Sequence, residues 1–87
     1  MEMQMVKELM LQALEHEMGG TKVYQTALKC VVNEDLKEEW EEYLDQTREH
    51  EEKLTNVCEA LGIDPETPSP GREIIRGMGT ALVESMQ

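Results

Sequence analysis

The stretch VVNEDLKEEW, Val31–Trp40, decides how this chain is read. A long segment with a helical rhythm and no proline lies on each side of it. Asn33 can cap a helix by accepting a hydrogen bond from a backbone N–H. Glu34 and Asp35 suit the positive end of the helix dipole. The stretch is thus a stop and an immediate start. A break this short folds the two segments back on one another as an antiparallel hairpin.

The first segment is expected to span about residues 3–32. Val6, Met10, Ala13, Glu17, Gly20, Tyr24, Ala27 and Val31 recur at alternating spacings of four and three, the seam of a packed helix. Gly19-Gly20 is its weak point, because each glycine costs on the order of 1 kcal/mol against alanine. Either the helix bends there or a neighbour comes too close for a side chain. The second segment is expected over about 34–61, with Trp40, Leu44, Thr47, Glu51, Leu54, Cys58 and Leu61 on the same spacing. Gly62 is a natural stop.

The connector, 62–69, is stiffened by Pro65 and Pro68. Thr67-Pro68 and Ser69-Pro70 both read as a cap followed by the first helical residue. A third helix over about 70–87 offers Ile74, Ile75, Met78, Ala81, Leu82 and Met86 as its apolar side. The reach of the connector leaves the direction of this helix open. The fold class is all-α: a helical hairpin plus a third helix.

With 87 residues, the chain is one small domain at most. Domains of this size often lean on oligomerisation, a metal or disulfides. The net charge of −11 excludes nucleic acid and anionic membrane as partners, since phosphates are bound by Lys and Arg. Cys30 and Cys58 fit no metal or redox spacing. Hairpin geometry puts them about 31 Å apart, so free thiols in a reducing compartment are expected. The N-terminus lacks the basic and apolar regions of a signal peptide, and no apolar run approaches the ~18 residues of a membrane span. A cytoplasmic protein is the expectation.

Both histidines sit between glutamates, in Glu15-His16-Glu17 and Glu49-His50-Glu51. In a hairpin turning at 33–34, facing residues have numbers totalling about 67. The two triplets therefore share one level, with Glu17 opposite His50, His16 opposite Glu51, and Gly20 opposite Thr47. Glu17 and Glu51 both occupy seam positions, so two carboxylates are expected to meet in an otherwise apolar interface. Unpaired, they are strongly unfavourable. A bound cation, a protonated histidine or open water could each resolve the conflict.

These residues resemble a known family. Glu17 seven residues before Tyr24 in EMGGTKVY, His50 in EYLDQTREHEEKL, and the exit ALGIDP are similar to the first half of ferritin-like, rubrerythrin-type proteins, and to one uncharacterised bacterial subgroup of them. The resemblance covers about residues 6–87. It implies a four-helix bundle binding iron, or manganese or zinc, through glutamates and E-x-x-H motifs, with ferrous oxidation or peroxide reduction as the chemistry. The implied ligands are Glu17 and His50, with Glu51, Glu49 and His16 in reserve and Glu84 on the third helix. Thr47 stands where the E-x-x-H glutamate would be. Such domains run to about 150 residues. The chain is accordingly expected to be a fragment, or to complete its bundle as a homodimer. The alternative is a non-catalytic assembly or interaction module in which the Glu/His layer only fixes register.

Overall fold

The computed structural model describes residues 2–87, and the described residues form three helices and no strand. Helix α1 spans Met3–Cys30, α2 spans Glu34–Ala60 and α3 spans Pro70–Met86. The bounds lie within two residues of those expected from sequence.

Each boundary has a local cause. Asn33 caps α2, its side-chain oxygen accepting from the Leu36 N–H at 3.1 Å. At the other end of α2, Gly62 adopts φ 75°, a left-handed conformation that favours glycine. This lets the Ile63 N–H reach the Cys58 carbonyl at 2.8 Å and the Gly62 N–H reach that of Glu59 at 3.1 Å. The pair of bonds is a Schellman stop, and Ile63 and Cys58 make the apolar contact that accompanies it. Of the two possible starts for α3, Ser69-Pro70 is the one used: Ser69 Oγ accepts from the Arg72 N–H at 3.1 Å.

Helix α1 is central. It packs against both α2 and α3, while the backbones of α2 and α3 do not approach each other closely. The three helices fit within 47 × 23 × 18 Å. The hairpin register is the one expected. Glu17 stands opposite His50, Gly20 opposite Thr47 and Tyr24 opposite Tyr43. The direction of α3, open in the sequence, is settled by its contacts. Ser69 meets Glu8, Arg72 meets Glu15, Gly79 meets Gly19, and the Cys30 thiol points to the Met86 carbonyl. Both series of numbers ascend, so α3 runs parallel to α1.

Gly19-Gly20 does not break α1. A Cβ on Gly20 would lie 3.3 Å from the Thr47 methyl on α2, and one on Gly19 would lie 4.0 Å from the Gly79 Cα on α3. Consecutive helical residues point about 100° apart, so each glycine admits a different neighbour. The apolar core is small: Leu11, Cys58 and Ile63 form its centre, with Met10 packed against them. Both thiols are free, Cys58 buried and Cys30 exposed. Burial pushes the Cys58 thiol up, which keeps it protonated. No described helix is long and apolar enough to cross a membrane.

Candidate functional site

The face of α1 toward α2 positions the candidate site. Glu17 Oε2 lies 3.7 Å from His50 Nδ1. That is too long for a hydrogen bond, and the side chains remain 24% and 59% exposed. The pair opens into a cleft of about 310 Å³ lined by His16, Gly20, Tyr24, Tyr43, Gln46 and Thr47. The Tyr24 and Tyr43 rings that line it have centroids 5.9 Å apart and planes tilted by 40°. Tyr43 donates to Glu39 at 3.2 Å, and this bond and the carboxylate's charge push its phenol up. Thr47 cannot serve as the missing carboxylate, and its hydroxyl already donates to the Tyr43 carbonyl at 2.8 Å.

The other expected ligands are distributed differently. His16 is exposed and lines the cleft beside Glu17. Glu49 and Glu84 are exposed and do not line the cleft. Glu51 does not join Glu17. It lines a separate groove with Leu14 and Met18. On α2, His50 faces the cleft, and Glu51, about 100° further round the helix, faces the groove with Leu14 and Met18. The expected meeting of two carboxylates is thus a meeting of one carboxylate and one imidazole.

The donor chemistry can be compared with what a metal requires. A tetrahedral ion holding a nitrogen and a carboxylate oxygen at about 2.1 Å keeps those donors about 3.4 Å apart. The 3.7 Å separation of Glu17 and His50 is close to that value. Number is the shortfall. Among the described residues, no group of three or more His, Cys, Asp or Glu side chains is placed to hold an ion. One chain supplies two donors where a closed shell needs four or more.

Among the described residues two charged groups are buried, Glu15 and Arg72, and Glu15 is 3% exposed. Its carboxylate receives Arg72 Nε at 2.6 Å and Arg76 Nη2 at 3.1 Å. Arg72 is itself 3% exposed. It also donates to the Pro65 and Thr67 carbonyls, so one guanidinium ties the connector to the start of α3 and both to α1. Burial alone would raise the Glu15 carboxyl, but the hydrogen bonds and charges of Arg76 and Arg72 together outweigh it and hold the group below its usual value. The seam spacing gave Glu15 no role. A signal was present: Arg72 and Arg76, two of the three arginines, stand four residues apart on one helical face.

The chain matches no protein-family model, no curated protein and no solved structure.

Proposed function

We propose that this is a ferritin-like helical protein that binds a divalent metal, with Glu17 and His50 as one half of the coordination shell and a second copy of the chain as the other. The observation that carries this reading is the Glu17–His50 pair itself: one carboxylate and one imidazole, 3.7 Å apart, at the mouth of an open cleft. Carboxylate with imidazole suits iron, manganese or zinc, with iron favoured by the family resemblance. Two copies related by a twofold axis would bring two Glu17 and two His50 together.

A bound metal would supply Lewis-acid or redox chemistry. The residues of the chain would hold and orient it, His50 through Nδ1 and Glu17 through its carboxylate, with His16 at the edge of the cleft.

One observation favours a second reading, an assembly module without metal. No described side-chain N or O atom is buried without a hydrogen-bond partner, so nothing in a single chain demands a cation. Metal analysis of protein dialysed against Fe(II), Mn(II) and Zn(II) separates the two. The metal reading predicts about one ion per two chains, lost in the Glu17→Ala/His50→Ala variant. The same trace metal in both proteins would establish the second reading.

A further inference from the structure

Two sides of α1 differ in chemistry. Residues two apart on a helix point about 200° apart, so Leu14 and Met18 face one side of α1 while His16 and Gly20 face the other. The side of His16 and Gly20 carries the Glu17–His50 cleft and, beside it, an uncharged groove formed with Ile75, Met78 and Leu82. The opposite side carries a larger groove of about 570 Å³. Leu14, Met18 and Pro65 give it an apolar floor. Glu51, Glu52 and Glu59 form its wall on α2, and Asp64 and Glu66 its wall on the connector. Two cations border it, but Arg72 is already held by Glu15, which leaves Arg48 against five carboxylates.

We infer that this groove docks a basic amphipathic helix of a partner protein. The groove lies beside α1 along one wall of α2, where a bundle would place a further helix. An apolar floor between acidic walls recognises a helix whose apolar stripe is flanked by Lys and Arg, with anchors at i, i+3, i+4 and i+7. A second copy of this chain is disfavoured as the occupant, because it brings a further −11 of charge to walls that are already negative. The net charge of the chain also draws a basic partner toward it. This inference is independent of the metal reading, which concerns the opposite face.

The test uses two labelled synthetic peptides of about 18 residues, or ~27 Å of helix. Both have the same Leu and Lys content; in one the leucines form a stripe, in the other they are scrambled. Fluorescence anisotropy with the full chain should show the striped peptide binding about tenfold more tightly. Glu52→Lys/Glu59→Lys should weaken it about tenfold, whereas Glu38→Lys/Glu41→Lys, the same change in net charge on exposed residues of α2 outside the groove, should leave it within about twofold. Circular dichroism checks that each variant keeps its helices. Three outcomes overturn the proposal: no binding of the striped peptide, equal binding of the scrambled one, or equal loss in both reversals. The last two mean attraction by bulk charge alone.

Discussion

At the scale of single residues, the decisive interaction is Glu15 with Arg72. Breaking a buried pair leaves a charge stranded, at a cost of about 3–5 kcal/mol. Arg72→Ala should therefore destabilise by roughly that amount in urea titrations, and the connector should loosen with it, because Arg72 also holds two carbonyls there. Arg76 is 46% exposed, so Arg76→Ala should cost only about 1 kcal/mol. The pH dependence follows from the depressed Glu15 carboxyl. Its stabilisation is fully present above the unfolded-state value of about 4.3 and is lost as pH falls through the lower folded value. A Glu15→Gln variant should start less stable at neutral pH and lose less on acidification. A wild-type acid limb no steeper than the variant's would count against this assignment. Glu15 was not legible from the sequence because the hairpin arithmetic treats two helices only. Its partners lie on α3, whose direction the proline-rich connector does not dictate.

At the scale of elements, the sequence carried most of the information. Asn33, Gly62 and Ser69-Pro70 mark the helix ends by backbone chemistry that acts over three or four residues, so no tertiary context is needed to read them. The glycines needed that context. The pair at 19–20 read as a bend or a close contact, and only the placement of α3 shows that the two residues admit two different helices. The glycines of α3 divide in the same way. A Cβ on Gly77 meets nothing within 4 Å, whereas one on Gly79 lies 3.6 Å from the Gly19 Cα. Gly77→Ala should therefore stabilise by about 0.8–1.0 kcal/mol, the helix-propensity difference. Gly79→Leu has the same propensity gain but must force its longer side chain between two backbones. It should lower the melting temperature, and equal gains from the two substitutions would show that α3 does not pack closely on α1.

At the scale of the molecule, grooves remain on two sides of α1, and the side with Glu17 and His50 is the one suited to a second copy. The groove beside that cleft is lined by no acidic or basic residue other than His16, so two chains can approach there despite their net charge. Met78 stands at its edge, 67% exposed. Met78→Glu removes little from the single chain, since the side chain is already in water, but in a twofold interface it would set carboxylates in an apolar contact. The expected result by light scattering is a dimer for the wild type and a monomer for Met78→Glu, with its helical signal intact. Bound metal should vanish with the dimer. Glu17→Ala is the complementary case: it should remove the metal while leaving an apolar contact through which the chains still associate. A Met78→Glu protein that stays dimeric and metal-loaded would place the interface elsewhere. A wild type that is monomeric at every concentration but still binds metal through Glu17 and His50 would mean that water, and not a second copy, completes the shell.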